Sequence, residues 1–526
     1  MKLLEGLRLE IGYTEKDVVN AIAKKCKIQV KDIKRYEIIK ESIDARRKPD
    51  VYYNLNVAFD TDHKLDNLKD IDVSHAGIVR QNINYNGARP IVVGFGPAGM
   101  MMALKLAKSG LNPIVIEQGD SVDERKLKID KFWQKGTLDT FSNVHFGEGG
   151  AGTFSDGKLN SNVSNEYCKI VTNEFIIHGA PKEIFYKSKP HIGTDNLVHM
   201  VKNIRNDVIT SGGEVRFRTR LIDILIDNGM VYGITVQNEK AEIETIESNT
   251  VILAVGHSAK NVFDELKQKN IAMEQKPFAI GVRIEQSQED INMSQYGIKD
   301  DRLPAADYKL VEHLDNGRSV FTFCMCPGGV VVASSSQEGT IVTNGMSYFA
   351  RDGRNANSAI LVNVTPEDFK SDDVLAGFDM INKYEKAAFD IAGKSYYAPC
   401  QTVGSFLNVA WDKDKVIEAT YRPGVEFKDL SQCLPDFVVE SIRNALPKFE
   451  KKIKNFAKPE NLLIAVESRS SCPVKIVRDA NLSTSVKGLF AIGEGAGYAG
   501  GIMSSAQDGL KVADRVIDYM LSNKNA

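Results

Sequence analysis

Residues 91–100, Ile-Val-Val-Gly-Phe-Gly-Pro-Ala-Gly-Met, decide the fold of this 526-residue chain. The β-branched residues predict a short buried strand, the glycines that follow match Gly-x-Gly-x-x-Gly, and residues 100–109 predict a helix. Residues 113–117 predict a second strand. A strand, a glycine turn, a helix and another strand within about 30 residues form the βαβ unit that binds a dinucleotide.

The glycines have separate tasks in such a unit. Gly94 permits the tight turn, Gly96 lets the backbone approach a pyrophosphate, and Gly99 lets the helix pack closely on the strand. Pro97 and Ala98 open the helix, whose free amides and partial positive charge favour a bound phosphate. We therefore expect all five residues in a cofactor site.

The end of the second strand indicates which dinucleotide is bound. Glu117 stands where an acidic residue accepts a hydrogen bond from a ribose 2′-hydroxyl. A carboxylate there would repel a 2′-phosphate, so the sequence predicts FAD or NAD rather than NADP. Gln118 follows directly and is expected to belong to the same site.

Composition and charge narrow the functional class. The chain is 43% apolar and 26% charged, which is typical of a globular protein. Its formal net charge of −2 provides no general field for nucleic acid or an anionic membrane. A small-molecule substrate is therefore the expected partner, without membrane attachment and without a favoured role for nucleic acid.

Cysteine usage and the N-terminus predict a cytoplasmic protein. Seven cysteines are too few for a disulfide framework, and they lack the CxxC spacing that metal sites usually need, so no metal is expected. The N-terminus has no signal-peptide pattern. No apolar run approaches the ~20 residues of a membrane-spanning helix.

Two later segments distinguish FAD from NAD. Residues 250–256 predict a buried strand that ends in glycine, and residues 214–236 before it show a hairpin pattern. Residues 488–497, GLFAIGEGAG, predict a strand that ends in a carboxylate between glycines, and residues 500–509 open a helix. This order resembles the glutathione-reductase-type FAD flavoproteins, which use a βαβ unit for the ADP half, a β-meander near the adenine and a late strand ending in Gly-Asp.

The resemblance implies roles for particular residues. Glu117 would contact the adenosine ribose, Leu221 would lie near the adenine, and Glu494 would occupy the place where the family usually has Asp. A helix opening near Met503 would face the flavin N1/C2 edge and stabilise its negative charge by about 0.3–1 kcal/mol. The other residues expected to hold FAD at these strand and loop ends are Gly256, Gly493, Gly501 and Ile502.

The chain is still more similar to a bacterial family described as uncharacterised FAD-dependent dehydrogenases, or NAD(FAD)-utilising dehydrogenases. The similarity covers nearly the full chain and implies a cofactor and a fold without a substrate. The stretches that carry it are SIDARRKP (42–49), FGEGGAGTFSDGKL (146–159), KPHIGTD (189–195), KPFAIGVRIE (276–285), FCMCPGG (323–329), TNGMS (343–347), ESRSSCPV (467–474) and GEGAGYAGGI (493–502).

A glycine-rich loop at 147–153 predicts close approach of the backbone to the cofactor. Gly149, Gly150, Gly152 and Thr153 are expected to contact the flavin or the pyrophosphate, and a surface loop is the alternative. Lys158, a few residues later, would then be a donor to a flavin carbonyl or to N5.

Cys324 and Cys326 lie two apart in a predicted strand, so both thiols are expected to face one side. Three interpretations remain open: small buried apolar side chains, the lining of the active site, or a redox pair. A disulfide across a CxC sequence closes a small, strained ring.

Three more residues are candidates for proton transfer or substrate anchoring. They are His191, His257 and Arg469. Arg469 could hold a substrate carboxylate or carbonyl bidentately, and an ion-paired arginine is the alternative. Arg283 and Glu285 share one side of a predicted strand and are expected to pair with each other.

The predicted fold class is α/β: a Rossmann-like FAD-binding domain, split in the sequence, with an inserted, mainly antiparallel α+β substrate domain and a small N-terminal α+β domain. The expected boundaries are 1–88 for the N-terminal domain, 89–275 and 466–526 for the FAD domain, and 276–465 for the substrate domain. Strands are predicted at 34–39 and 51–59 with an irregular connection between them, and helices at 371–391 and 435–455 are expected to cover the antiparallel layer.

The expected function is hydride transfer between FAD N5 and a small organic substrate, with reducing equivalents from transiently bound NAD(P)H, from a redox partner protein or from the substrate itself. The expected catalytic set is Lys158, Cys324, Cys326, Arg469 and His191. The alternative is a flavin-dependent RNA-modification protein that uses the basic tip 46–48, and the net charge weighs against it. A third hypothesis is a binding module in which FAD is structural.

Overall fold

The N-terminal segment forms a four-stranded sheet with one covering helix, in a computed structural model that describes residues 1–73, 76–159 and 165–523. Its elements are β1 (Lys2–Leu9), α1 (Glu15–Cys26), β2 (Arg35–Arg47), β3 (Asp50–Asp60) and β4 (Lys69–Asp70). The strand order is β2-β3-β1-β4. Val18 and Ile22 of α1 pack on the apolar face of the sheet.

The hairpin of this sheet is longer than the sequence pattern predicts. Residues 40–47, expected as an irregular connection, continue β2, and the pairing runs to Arg47 opposite Asp50. Ile43 and Ala45 of this extension pack against the core of the segment beyond residue 276. That contact with a distant part of the chain holds the polar stretch in a strand.

The next segment contains the βαβ unit, formed by its first three elements, and the strands and helices that follow it. Its elements are β5 (Ile91–Val93), α2 (Pro97–Lys108), β6 (Ile114–Ile116), α3 (Val122–Lys135), α4 (Glu166–Ile177), α5 (Thr194–Thr210), β7 (Glu214–Arg216), β8 (Thr219–Asp227), β9 (Met230–Asn238), β10 (Ile243–Glu247), β11 (Val251–Leu253) and α6 (Lys260–Gln268). β8, β9 and β10 form a separate antiparallel meander.

The following segment forms mainly antiparallel structure. Its elements are β12 (Met273–Gln275), β13 (Phe278–Ser287), α7 (Gln288–Tyr296), β14 (Val311–His313), β15 (Ser319–Cys326), β16 (Val330–Ala333), β17 (Thr343–Met346), β18 (Asn355–Val364), α8 (Pro366–Phe369), α9 (Ala376–Ile391), β19 (Ala398–Thr402), α10 (Val403–Leu407), β20 (Val425–Phe427), α11 (Asp436–Lys452) and β21 (Leu462–Glu467). A seven-stranded sheet has the order β14-β15-β18-β13-β21-β19-β20, and its pairs are antiparallel except β19–β20. Side chains of α9 and α11 belong to its core, as expected of the helices predicted there.

The last part of the chain adds a strand to the sheet that contains the βαβ unit. It contains β22 (Val474–Ile476), β23 (Leu489–Ala491) and α12 (Ile502–Ser522). β23 joins a five-stranded parallel sheet in the order β23-β11-β5-β6-β7. α2, α5 and α12 contribute to the core on one side of this sheet, while the meander and α6 contribute to the core on the other.

The mixed α/β architecture expected from the sequence is present, with a parallel sheet completed by residues far apart in the chain. The expected boundary between 465 and 466 falls inside β21, which belongs to the antiparallel sheet. Within the described residues, no helix has the length and apolar character needed to cross a membrane.

Candidate functional site

A cleft opens where the carboxyl ends of β5, β11 and β23 meet the antiparallel sheet. Ligands of open α/β sheets bind at this edge, where the strand order reverses. The chain leaves β5 toward β6 on one side, and β11 lies on the other. The residues of the predicted cofactor site that line the cleft are Gly94, Gly96, Pro97, Ala98, Glu117, Gln118, Gly150, Gly152, Leu221, Gly256, Glu494, Gly501 and Ile502.

Two helices begin at this cleft without a side-chain cap among the described residues. α2 begins after Gly96 and α12 after Gly501, which leaves amides of their first turns for a ligand. A Cβ on Gly96 would lie 3.7 Å from its nearest neighbour, Gly150 Cα, and one on Gly501 would meet no described atom within 4 Å. The open space between two helix N-termini suits a pyrophosphate and an electron-rich ring edge.

Glu117 holds the loops at the end of β6. Its carboxylate accepts hydrogen bonds from the backbone N–H groups of Phe95, Gly119 and Gly147, each at 2.9 Å. A carboxylate has about four acceptor positions, so roughly one remains for a ligand hydroxyl. The predicted ribose contact is therefore compatible with the site, but most of the carboxylate's capacity maintains the loops.

At the end of β23, two predicted residues pair with each other, and two residues without a predicted role, Asp508 and Arg478, hold the glycine loop. Glu494 Oε1 lies 3.0 Å from His257 Nδ1. Asp508 accepts a hydrogen bond from Gly493 N–H at 2.7 Å, and Arg478 binds the same carboxylate through two donors at 2.9 and 2.7 Å. The carboxylate expected at 494 therefore pairs with a histidine, and Asp508 orders the glycine loop.

Arg125 shapes the glycine-rich loop from inside the protein. It is fully buried, and its guanidinium donates to the carbonyls of Asn143, Val144, Glu148 and Gly150 at 2.7 to 3.0 Å. Burial lowers its pKa to about 10. These bonds hold the carbonyl groups back and leave Gly150 and Gly152 facing the cleft.

Three predicted cofactor contacts instead form packing positions behind the cleft wall. A Cβ on Gly99 would overlap the carbonyl oxygen of Gly94, so Gly99 sets the approach of α2 to β5. A Cβ on Gly149 would overlap Thr153 Oγ1, and Thr153 itself is buried against the loop backbone. Gly99, Gly149 and Thr153 therefore shape the cleft rather than line it.

Two more predicted contacts lie behind the opposite end of the cleft. A Cβ on Gly493 would lie 2.8 Å from Ala98 Cβ, so the glycine permits close packing. Met503 is buried in the core between α2 and α12. Since α12 begins at Ile502, it is Ile502 and Ser505 that reach the cleft.

Cys324 and Cys326 lie on the opposite wall, on β15. The register with β18 shifts between Phe323 and Cys326, and Cys324 has a φ of 41°. This β-bulge interrupts the alternation of side chains. Cys324 is exposed to the cleft, whereas Cys326 is buried with its Sγ donating to the Cys324 carbonyl at 3.3 Å. Both residues nevertheless line the same cleft, and Cys324 is the more exposed of the two.

The surroundings of the two thiols keep them protonated. Although Cys324 opens into the cleft, the protein atoms around its thiol disfavour the charged form and raise the pKa of Cys324 to about 12. Arg283 lowers it in part. Burial also raises the pKa of Cys326. Neither group is a thiolate near neutral pH, which weighs against a thiol–disulfide exchange role.

A buried ion pair, Arg283–Glu467, supports this wall. Nε and Nη2 of Arg283 donate to Glu467 at 2.9 and 2.6 Å, and Nη1 donates to the Cys324 carbonyl at 3.2 Å. Thr343 Oγ1 donates to the same carboxylate at 3.1 Å. Burial opposes the charge of Arg283, but the contact with Glu467 holds its pKa above the usual value.

The expected pairing of Arg283 with Glu285 is wrong. Glu285 accepts from Asn355 Nδ2 at 2.8 Å and from the backbone N–H of Thr420 at 3.1 Å, and burial raises its pKa. Arg283 turns to Glu467 because that residue is carried by β21, the strand hydrogen-bonded to β13.

Lys158 lies beside Cys324. Its Nζ donates to the carbonyl of Met325, the residue after Cys324, and no carboxylate oxygen of the described chain lies within 4 Å of it. The nearby Asp156 is bound by Arg351 through two donors, at 2.9 and 2.6 Å. Burial opposes the charge of Asp156, but Arg351 and Lys158 hold its pKa below the usual value.

Arg469 lines the cleft, but the protein uses its donors. Nε and Nη2 bind Glu385, both at 2.9 Å, and Nη1 donates to Ser336 at 2.5 Å and Ser258 at 3.1 Å. A guanidinium has five N–H donors, so about one is left for a substrate. The geometry corresponds to the ion-paired alternative.

The histidines are divided between two places. His191, expected in the catalytic set, lies outside the cleft: its ring stacks on Phe349, and burial lowers its pKa. His145, which the sequence did not single out, lines the cleft with His257, and their ring centroids are 5.6 Å apart. Burial, with Arg469 nearby, holds the pKa of His145 well below its usual value.

Comparison with known proteins adds two family matches. Residues 277–470 match the family model "FAD-dependent protein, C-terminal domain-like", and residues 1–60 match a domain of unknown function, DUF8436. An uncharacterized protein of Clostridium beijerinckii is 45% identical over 515 residues, which are 94% of this chain and 95% of that protein.

Solved structures show only distant similarity. The glycerol-3-phosphate dehydrogenase of Bacillus halodurans, solved with FAD, is 12% identical with a TM-score of 0.34, over 84% of this chain and 66% of that one. A geranylgeranyl bacteriochlorophyll reductase-like protein of Thermoplasma acidophilum is 12% identical with a TM-score of 0.36, over 83% of this chain and 79% of that one.

The parallel sheet, the glycine-lined cleft between two helix N-termini and the family match define an FAD-dependent flavoprotein. The residues present fit the cofactor, because the described atoms leave open space beside Gly96 and Gly501, where the two helices begin. The chain belongs to the same family as the Clostridium beijerinckii protein, with which it shares almost its whole length.

Proposed function

We propose that this protein is an FAD-dependent oxidoreductase that exchanges a hydride with a small organic substrate. One observation carries the proposal: a single cleft joins the glycine-lined end of the parallel sheet to a polar wall with Lys158 and Cys324. FAD supplies the two-electron chemistry when bound. The chain's own groups bind it, exclude water and orient the substrate.

The residues divide along the cleft by task. Gly96 and the start of α2 would hold the pyrophosphate, and Glu117 and Leu221 would meet the adenosine. Gly152 and the start of α12 would hold the flavin edge. The wall built by Cys324 and its neighbours would then face the substrate, because it comes from a different sheet across the cleft.

The test is the absorption spectrum and redox behaviour of the purified protein. We expect a flavin spectrum that bleaches when NADH, NADPH or dithionite is added without oxygen and returns when an organic acceptor is added. A protein that neither contains FAD nor takes it up on reconstitution would contradict the proposal. A flavin that no donor reduces and no acceptor reoxidises would favour a structural role.

The RNA-modification alternative is not favoured. Arg46 at the hairpin tip is bound to Asp44, and Lys48 Nζ donates to the Ser294 carbonyl. Two of the three basic residues of that tip therefore have partners within the chain.

A further inference from the structure

The part of the cleft around Cys324 presents hydrogen-bond donors. The Lys158 ammonium uses one of its three donors on the Met325 carbonyl and has no carboxylate partner within the described residues. Cys324 is the residue before Met325, and its thiol opens into the same cleft. A cation and a protonated thiol therefore lie side by side.

The carboxylates Glu467, Asp156 and Glu494, which line this part of the cleft, already have partners. Glu467 accepts three hydrogen bonds, from Arg283 and Thr343, and Asp156 is bound by Arg351 through two. Glu494 is paired with His257. The free Nε2 atoms of His145 and His257 are buried away from the open space. Among the described residues, the wall is thus built to give protons and to stabilise negative charge.

We propose that the substrate is an α,β-unsaturated carbonyl compound, that Lys158 binds its carbonyl oxygen, and that Cys324 donates the proton in its reduction. This inference rests on the proposed function and gives it a substrate class and a direction.

The proposed reaction reduces the C=C bond of the substrate. The β-carbon would receive a hydride, with both electrons, from bound reduced FAD, and the electrons of the C=C π bond would shift toward the carbonyl oxygen. Lys158 stabilises the negative charge that grows on the oxygen. The α-carbon takes the proton of Cys324 Sγ–H, and the sulfur regains a proton from solvent. The product is the saturated carbonyl compound, and FAD is left oxidised.

The backbone conformation of Cys324 and the hydrogen bonds to its carbonyl fix the position of the thiol. A φ of 41° is unfavourable for a residue other than glycine and persists only when neighbours enforce it. Here Arg283 donates to the Cys324 carbonyl, and Cys326 Sγ does the same. Arg283 is thus a positioning residue. The high pKa of the thiol keeps its proton available at neutral pH.

The first experiment measures binding without turnover. A phenolate resembles the enolate that the step forms, so oxidised, FAD-loaded protein is titrated with 4-chlorophenol while the flavin spectrum is followed. We expect a spectral change that saturates, and Lys158→Met should weaken the affinity by about tenfold or more. Lys131→Met, an exposed lysine of α3, is the matched control and should bind as the wild type does. Equal affinity in Lys158→Met would overturn the role of Lys158.

The second experiment measures proton donation. FAD-loaded protein is reduced with dithionite, freed of excess reductant and mixed anaerobically with 2-cyclohexen-1-one. We expect reoxidation of the flavin, deuterium at the α-carbon when the mixing is done in D₂O, and a loss of about 100-fold or more in Cys324→Ala. Cys324→Ser keeps a hydroxyl group, a weaker proton donor, and its reoxidation rate should lie between those of the wild type and Cys324→Ala. Cys168→Ser is the control and should match the wild type.

The outcomes separate the two claims. A flavin that cannot be reduced or reoxidised by any compound contradicts the proposed function itself. A flavin that a quinone reoxidises but the enone does not contradicts only the substrate class, and wild-type rates in Cys324→Ala contradict the role of the thiol. Thermal unfolding of each FAD-loaded variant identifies any that fail to fold, in which case Cys324→Ser decides.

Discussion

His145 is a buried histidine that the fold keeps neutral. It lies in the cleft wall with His257. Arg469 and Arg125 are close enough to disfavour a positive charge on His145 itself. Its Nε2 has no hydrogen-bond partner among the described residues. The folded protein therefore binds a proton at this site less readily than the unfolded chain does.

This difference predicts that acid destabilises the protein. A histidine in the unfolded chain is protonated below a pH of about 6.5, whereas His145 in the folded chain is not, so the unfolded state binds more protons. Stability should fall as pH drops below that value, by about 1.4 kcal/mol per pH unit for each such proton. Urea unfolding at several pH values measures the slope.

Substitution assigns the slope to the residue. His145→Gln should make the slope of stability against pH shallower. Part of the slope that remains comes from His191, whose pKa is also lowered. His313→Gln removes an exposed histidine of β14 and should leave the slope unchanged. An unchanged slope in His145→Gln would show that His145 is not the source.

The site residues that sequence reasoning found are those with local signals. Gly96 and Glu117 stand at fixed distances from a strand, and Lys158 follows a glycine loop. Arg125 and Arg283 were not assigned their roles, because their partners are backbone carbonyls or residues more than a hundred positions away. Neither kind of partner leaves a pattern in the neighbouring sequence.

At the scale of an element, two glycines at the start of helix α2 have opposite tasks. Gly96, the residue just before the helix, has a φ of −80° and room for a Cβ, whereas a Cβ on Gly99 in the first turn would overlap the Gly94 carbonyl. Gly96 therefore serves the ligand, and Gly99 serves the contact between α2 and β5.

We expect the two alanine variants to separate these tasks. Gly96→Ala should leave the unfolding free energy of the protein without FAD unchanged and weaken FAD binding, because the new methyl group enters the space of the pyrophosphate. Gly99→Ala should lower that free energy by about 1–3 kcal/mol through overpacking. Urea unfolding without FAD and fluorescence titration with FAD measure the two effects. Similar losses of stability in both variants would contradict the assignment.

The elements themselves were predictable where the signal was local. β5, α2 and β6 agree with the pattern of residues 91–117 because each strand and turn is defined within a few residues. The pairing of β13 with β21 was not predictable, since the strands are far apart in the chain. The bulge at Cys324, whose carbonyl accepts a hydrogen bond from Arg283, was also not predictable from strand periodicity.

At the scale of the whole molecule, one buried ion pair joins the two main parts. Asp156 follows the glycine-rich loop, and Arg351 precedes β18 of the antiparallel sheet; their side chains are 4% and 9% exposed. Asp156 also lines the cleft, together with Lys158. Its contribution to stability depends on both partners being present, because a single buried charge is costly.

We expect Arg351→Leu to lower the unfolding free energy by about 3–5 kcal/mol, since it leaves the Asp156 carboxylate buried without its partner. Adding Asp156→Leu to that variant should restore part of the loss, because no isolated charge remains. Arg354→Leu removes an exposed arginine paired with Glu418 and should change stability little. Losses that simply add in the double variant would contradict coupling between the two parts.

The position of β23 in the chain has a consequence for synthesis on the ribosome. β23 (Leu489–Ala491) covers one edge of β11 (Val251–Leu253), and the loop after it carries Glu494. While the nascent chain lacks this segment, that edge of β11 has no partner, and an unpaired strand edge invites association with other chains. FAD can then be taken up only after nearly all of the chain has left the ribosome, and translation that stops before β23 should give aggregates in place of a partly active enzyme.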